Sequence, residues 1–489
     1  MTFAIVIYLI ICYNVSNCFF TEVMMKFKKI LKSYIGNKAF YKLAMSIALP
    51  MIIQNAITNL VNMLDTMMVG SLGSEAVAAV GAVNQFVFIF NLATFGAVSG
   101  AGIFAAQYNG RGDNNGVRNT MRIKLVCCLL LGIIGMGVLI GFGDPLVKGF
   151  LNKSEEMDLA LAIEYSKEYL AVIILGFIPF AISQAYASTL RETEQTKPPM
   201  VASLISVATN FVLNGLLIFG LFGFPALGVR GAAIATSISR FAEFAVLVFW
   251  THNNKKKCPF IKNIYSKFHI PKALAKQVAI KGIPIWLNEL FWSASITVLN
   301  FCYSHDNTEV LNALNISFSL QNLLSVSYFA LSSSIAIMVG NLLGAGEFEK
   351  AKDADRKLLA FSVFMGGCMM VLQLVLAQFY PMIYTEVSEA ERHLATYTMA
   401  CFALTMPAAA LATSTYYTIR SGGLAFITML FDSVYAWVIV IPVAALLSFV
   451  FDLDYKVMLP LVLITENLKL LPGLFLVHKG IWIRQIKVE

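Results

Sequence analysis

Seven polar side chains recur between Leu49 and Gly73, in a stretch otherwise apolar enough to cross a bilayer: Gln54, Asn55, Thr58, Asn59, Asn62, Asp65 and Thr66. At about 100° per residue they fall within one arc of roughly 140° around an α-helix, and the rest of the circumference is Leu, Ile, Val, Met and Ala. In lipid that pattern describes a helix with one wet face lining a cavity. A carboxylate at membrane depth costs about 2.5–3.5 kcal/mol on insertion scales, so Asp65 is a functional candidate by default. The competing reading puts Asp65 near a helix end, with its carboxylate reaching interfacial water.

Other segments repeat the pattern. Ser203, Ser206, Asn210 and Asn214 share an arc of about 80°, and Thr236, Arg240 and Glu243 one of about 60°. Arg240 and Glu243, three residues apart, can pair and so lower the cost of burying either charge. That pair serves packing or substrate. Glu289 lies five residues after Pro284, deep in an apolar stretch, with only Lys281 as a base within helical reach. It either trades protons near neutral pH or stays neutral and hydrogen-bonded beside Asn288 and Ser293. Asp432 is a weaker candidate, expected close to the membrane surface. Pro50, Pro179, Pro284, Pro407 and Pro442 each remove a helix hydrogen bond and can act as kinks.

The elements that position these residues follow from composition. The chain has 489 residues, 58% hydrophobic and 13% charged, which excludes a soluble globular protein. Twelve apolar spans are expected, at about 43–70, 76–108, 122–142, 165–190, 198–221, 230–251, 278–304, 310–341, 357–381, 394–419, 424–450 and 457–478. The net charge of +8 sits in the connections, so it reads as a topology signal and not as a nucleic-acid surface. Lys and Arg collect on one side, including Arg111, Arg118, Arg122, Arg191, Arg420 and the run Lys255, Lys256 and Lys257. Asp and Glu collect on the other. Both termini are therefore expected in the cytoplasm. The eight Cys have no metal-ligand spacing and read as packing residues. Residues 1–20 lack a positively charged start and a clean cleavage site, and a start at Met24 or Met25 is preferred. The Lys-rich stretch 252–281 contains no acid and divides the spans six and six, as a linker or a surface amphipathic helix.

The halves repeat. Pro50 and Pro284 are 234 residues apart, and the same offset aligns Gln107–Asp113 with Asn341–Glu347 and Arg122 with Arg356. Parallel six-helix repeats are a transporter signature, with the substrate site between them. No HExxH, P-loop or nucleophile elbow is present, so an enzyme is not expected. Without a nucleotide motif, transport is driven by an ion gradient or is passive.

Pro50 and Gln54, followed by LDTMMVGSLGSEAVAAVG, resemble the motif of the multidrug and toxic compound extrusion (MATE) antiporters. GRGD at 110–113, GVRGAAIAT at 228–236 and IRSGG at 419–423 also fit, and the resemblance spans nearly all of residues 40–480. It implies two six-helix lobes, alternating access and export of organic cations against inward Na⁺ or H⁺. By the resemblance Asp65 binds the coupling ion and Pro50 is where its helix bends. Asn210 and Thr236 match polar partners of that aspartate in the DinF-type branch, and Glu289 resembles the seventh-helix glutamate of the NorM-type branch. Two departures stand out: Asn214 occupies the place of a second DinF-type aspartate, and span 394–419 carries no acid. The oxygens of Asp65, Asn210, Asn214 and Thr236 suit Na⁺, a hard cation, and the same carboxylate can equally titrate.

The expectation is an all-α integral membrane protein of twelve transmembrane helices in two six-helix lobes. Its parts are an N-terminal extension (1–25), an N-lobe (26–251), a basic cytoplasmic linker (252–281) and a C-lobe (282–489). Its function is secondary active multidrug efflux from the cell membrane. Asp65, Asn210, Asn214, Thr236 and Glu289 serve the coupling ion. Gln54, Asn55, Thr58, Asn59, Asn62, Arg240 and Glu243 form the cavity face, and Pro50 and Pro284 the kinks. No cofactor is expected beyond H⁺ or Na⁺ as coupling ion. The partners are a small-molecule substrate and the bilayer, with no nucleic acid, and the protein acts as a monomer. The alternatives are a lipid-linked oligosaccharide flippase of the same superfamily and, from another class, a membrane-embedded enzyme or receptor.

Overall fold

The computed structural model describes residues 33–151, 158–266, 268–304, 307–384 and 387–486. The expected extension at residues 1–25 lies outside them. The first half contains α1 (Lys38–Gly70), α2 (Ser74–Gly110), α3 (Asn114–Phe150), α4 (Leu159–Glu192), α5 (Lys197–Phe219) and α6 (Gly228–Asn253). The second contains α7 (Lys272–Ser304), α8 (Thr308–Gly344), α9 (Phe348–Leu376), α10 (Glu389–Ser421), α11 (Ala425–Val450) and α12 (Tyr455–His478). Eleven of these are long and apolar enough to cross a membrane. The exception is α7, whose apolar content is diluted by Pro284, Asn288, Glu289, Ser293, Ser295 and Asn300.

Local sequence fixes the helix starts. Asn37, Asp113, Asp158, Asn307 and Asp454 each accept from backbone N–H groups of the first turn, and Ser388 with Glu391 forms a reciprocal capping box. Gly112 and Gly346, aligned by the 234-residue offset, have φ of +74° and +78°. Glycine takes this left-handed conformation without a Cβ penalty, and it permits the tight turns α2–α3 and α8–α9.

Packing is two-fold. Across the halves α2 packs on α7, α1 on α8, and α2 on α8. Since α1 corresponds to α7 and α2 to α8, the first two contacts are the same contact made twice. Gly110 and Gly344 mark the crossing: a Cβ on Gly110 would lie 1.9 Å from the carbonyl oxygen of Asn341, and one on Gly344 2.0 Å from that of Gln107. Asn341 and Gln107 are themselves repeat equivalents.

The apolar cores show where the halves join. Near the chain's termini the cores are shared: Ala44, Ile47 and Met51 pack with Ile335, Met338, Leu343 and Trp482, and Phe104 packs with Val278 and Ile285. Toward the other end each half has its own core. One contains Val83, Phe90, Tyr169 and Phe177, the other Tyr303, Leu314, Phe402 and Leu459. The lobes are thus joined at the termini end.

Polar bonds complete that end. Gln107 Nε2 donates to the Ser421 carbonyl (3.0 Å), and Gln107 Oε1 accepts from the Ile486 N–H (2.8 Å). Arg111 Nη2 donates to the Ile486 carbonyl (2.7 Å), and Asn109 Nδ2 to Asn341 Oδ1 (2.9 Å). Asn341 Nδ2 in turn donates to Glu194 Oε1 (3.2 Å), and burial raises the carboxyl pKa of Glu194 above its ordinary value.

The connection between the lobes is not a surface helix. Its first part forms a short 3₁₀ turn, Pro259–Ile261, with Cys258, Phe260, Ile261 and Ile264 buried against α3 and α4. Arg122 clamps the following loop, donating to the carbonyls of Ile264 (2.9 Å), Asn263 (2.8 Å), Ser266 (2.9 Å) and His269 (3.2 Å). Arg122 therefore has a packing role that its reading as a topology signal did not include. Each carbonyl left unpaired costs about 1–3 kcal/mol. Arg122→Ala is expected to speed tryptic cleavage within 255–267 roughly tenfold through local opening. An unchanged cleavage rate would show that the clamp does not hold the loop.

Candidate functional site

The polar faces of α1, α5 and α6 meet inside the first lobe. Asp65 is half-buried, five residues before the end of α1, and its carboxylate meets Asn214. Asn214 Nδ2 donates to Asp65 Oδ1 and also to Asn210 Oδ1 (3.3 Å), and Asn210 Nδ2 donates to Thr236 Oγ1 (3.2 Å). The result is one chain of side chains, Asp65–Asn214–Asn210–Thr236, drawn from three helices. Asn214 is 1% exposed, and its Oδ1 has no hydrogen-bond partner among the described residues. A buried acceptor beside a carboxylate is unsatisfied as it stands, and a cation or an acid proton would satisfy it.

The rest of the α1 face divides. Thr58 Oγ1 lies 3.5 Å from Ser203 Oγ and donates to the Gln54 carbonyl (2.9 Å), so Thr58 and half-buried Gln54 lie toward α5. Asn55, Asn59 and Asn62 are exposed, on the part of α1 beyond the shared cores. Ser206 Oγ donates to the Ser239 carbonyl (2.8 Å) and ties α5 to α6. Arg240 Nη1 is 3.6 Å from Glu243 Oε2, and its guanidinium lies 4.8 Å from the centre of the Phe180 ring. The expected pair is present, with Glu243 buried and Arg240 half-buried. Pro50 and Pro284 lie inside α1 and α7, which continue through them.

The second lobe is built differently. Glu289 is half-buried on α7, and its carboxylate has no hydrogen-bond partner among the described residues. Arg420 and Asp432 are the charged groups that act on it. Asn288 does not bond Glu289. It donates to Asp432 Oδ2 (3.2 Å) and accepts from Ser433 Oγ (2.6 Å). Asp432 is half-buried, seven residues into α11, and Lys469 Nζ lies 3.0 Å from its Oδ1. Arg420, expected among the topological charges, is buried, with its guanidinium 5.4 Å from the Tyr417 ring centre and 5.9 Å from that of Tyr416. A π-helical turn at Leu430–Val434 carries Asp432 and Ser433. Such turns insert a residue into the helical register and often occur at functional sites.

The sequence reading missed this set because its members come from separate helices. One signal was available: Glu466 and Lys469, three residues apart, interrupt an apolar span, and their side chains lie 3.7 Å apart. It also missed the buried pair Lys124–Glu192, supported by Ser188 Oγ, which accepts from Lys124 Nζ at 2.9 Å. Those partners are 68 residues apart in the chain. No group of three or more His, Cys, Asp or Glu among the described residues could hold a metal ion.

Known proteins agree with this architecture. The sequence model of the MatE family matches the chain twice, over residues 50–216 and 284–446. The chain is 27% identical over 331 residues to the probable multidrug resistance protein NorM of Thermotoga maritima, covering 65% of this chain and 68% of that protein. It is 24% identical over 341 residues to the multidrug resistance protein NorM of Vibrio vulnificus, covering 70% and 73%. Its fold matches the outward-facing structure of a multidrug resistance MATE family transporter of the MOP superfamily, with a TM-score of 0.81 at 18% identity over 92% of this chain and 98% of that one. The two matched segments begin at Pro50 and Pro284, the positions that open the internal repeat, and the chain belongs to the MatE family of membrane transporters and is not an enzyme.

Proposed function

We propose that this multi-pass protein of the cell membrane is a secondary antiporter that exports organic cations or similar amphiphiles in exchange for inward H⁺ or Na⁺. The observation that carries the reading is the chain Asp65–Asn214–Asn210–Thr236 with its unsatisfied acceptor on Asn214. It offers a coupling ion one carboxylate and neutral oxygens, with no ammonium or guanidinium hydrogen-bonded to Asp65 among the described residues. In the second lobe Lys469 already neutralises Asp432. The principal ion site is therefore in the N-lobe (26–251). The linker (252–281) joins it to the C-lobe (282–489), where Glu289 is a counter-charge to substrate or a second ion site. The relatives' names support a multidrug substrate range.

Both termini lie in the cytoplasm in this reading, and the protein works as a monomer. An ion arriving at Asp65 favours the conformer with lower substrate affinity, and exchange follows from that differential binding. The flippase alternative needs several cavity cations for a diphosphate. The polar face of α1 supplies none, and Arg240 is already paired with Glu243.

The test is efflux of a fluorescent organic cation from preloaded proteoliposomes under an imposed Na⁺ or H⁺ gradient. One gradient is expected to accelerate efflux at least tenfold over the ungraded control. Efflux indifferent to both gradients would overturn the proposal.

A further inference from the structure

A groove of about 840 Å³ lies in the second lobe between α9, α10 and α12, with Tyr34 in its lining beside Arg356. This volume is within the range of about 300–1,000 Å³ typical of small-molecule sites. The groove is separate from the polar faces of α1, α5 and α6 and from the Asp432 cluster. Its lining changes character along its length. On α9, Lys352 and Arg356 are followed within two turns by Leu359 and Val363. On α12 the order is reversed, with Leu474 and Val477 leading to His478 and Lys479. The two helices run in opposite directions, so both gradients point the same way, basic at the termini end and apolar toward the membrane interior. Leu411 of α10 floors the apolar part.

We infer that this groove binds one anionic phospholipid from the leaflet on the termini side, with its phosphate at Arg356 and Lys479 and its acyl chains along Leu359, Val363 and Leu474. Three observations carry the assignment. The polarity gradient is that of a lipid in that leaflet. Arg356 Nε is buried and has no hydrogen-bond partner among the described residues. The cations are held by exposed groups: Lys352 Nζ and Arg356 Nη2 meet the carboxylates Glu349 (2.6 Å) and Asp353 (2.9 Å), the Arg356 guanidinium lies 5.7 Å from the Tyr34 ring centre, and Lys479 Nζ lies 4.5 Å from that of Phe475. Exposed pairs of this kind exchange readily for a phosphate. One acid faces the groove. Asp355 is buried and accepts from Thr418 Oγ1 (2.5 Å), which ties it to α10. Of the groove's own lining Lys352, Arg356 and Lys479 are cations and Asp355 is an acid, while Glu349 and Asp353 pair with Lys352 and Arg356 from outside it; a phosphate that takes their place is charge-matched, and a zwitterionic headgroup brings a cation that is not.

The experiment is native mass spectrometry of the purified full chain, exchanged into detergent with phosphatidylglycerol or phosphatidylcholine. Wild type is expected to keep one phosphatidylglycerol after washing and to keep phosphatidylcholine at least fivefold less. Arg356→Gln combined with Lys479→Gln removes the charge, and Val363→Trp fills the apolar end without touching it. Both are expected to lower phosphatidylglycerol occupancy at least fivefold while the elution profile and melting temperature stay those of wild type. Equal retention of the two lipids, unchanged retention in both variants, or preferential retention of a quaternary-ammonium amphiphile would overturn the assignment.

Discussion

Asp65→Asn is expected to abolish gradient-driven export while leaving a folded protein. The substitution keeps the shape and removes the charge. Asn214 Nδ2 then faces an amide in place of a carboxylate, and the unsatisfied Asn214 Oδ1 remains. An interaction with a charged group is worth about 1.5–3 kcal/mol, and a site with a single carboxylate loses most of its hold on a cation when that charge goes. A loss of about 2.8 kcal/mol is a factor of about 100 in affinity. An ion shifts a conformational equilibrium only by its differential affinity for the two states, so coupling falls with binding. The measurement is efflux of the same dye with and without the driving gradient, beside the melting temperature. Acceleration should drop to the ungraded rate, while Asp65→Glu should keep part of it. Full gradient dependence in Asp65→Asn would move the ion site elsewhere, with Glu289 the next residue to test.

The second large effect is expected at the crossing of α2 and α8. Gly344→Ala places a carbon about 2 Å from the Gln107 carbonyl oxygen, and Gly110→Ala places one just as close to that of Asn341. The obstacle is backbone on both sides, so the helices must separate. Overpacking of this kind costs about 1–3 kcal/mol. That cost falls only on the conformer in which the termini end is shut, and alternating access needs that conformer. Spin labels at the exposed, repeat-equivalent positions Asn114 and Phe348 report the opening. Each variant is expected to move population to longer distances and to slow transport roughly tenfold, which corresponds to about 1.4 kcal/mol. An unchanged distance distribution with wild-type transport would show that the glycines are not what lets this end close.

What the sequence disclosed followed helical periodicity. The polar arcs of α1, α5 and α6 were visible because residues on one helix keep a known angular relation, and the structure joins Asp65, Asn214, Asn210 and Thr236 across three helices. The repeat was visible for a similar reason, since equal offsets between prolines and glycines need no knowledge of packing. What stayed hidden depended on which helices are neighbours. Asn288 and Asp432 are 144 residues apart, and Asp432 and Lys469 are 37 apart. No single-helix pattern links them. Arg420 was read as a topological charge because it ends a span, yet the chain folds that end inward between two tyrosines. Arg122 was similarly read only as a charge, although its geometry makes it a clamp. The polar load of α7 is what lowers its apolar character below that of the other helices.

The reciprocal crossing of Gly110 on Asn341 and Gly344 on Gln107 also has a historical meaning. Two copies of one six-helix unit, related by a two-fold axis, would make this pair of contacts as an isologous dimer, with the same patch used on both sides. In such a dimer every substitution is felt twice, so a change that suits one half is imposed on the other. Joining the copies into one polypeptide removes that constraint. The contact surfaces here have kept their symmetry while the interiors have diverged, one toward a carboxylate flanked by amides and the other toward an aspartate closed by its own lysine.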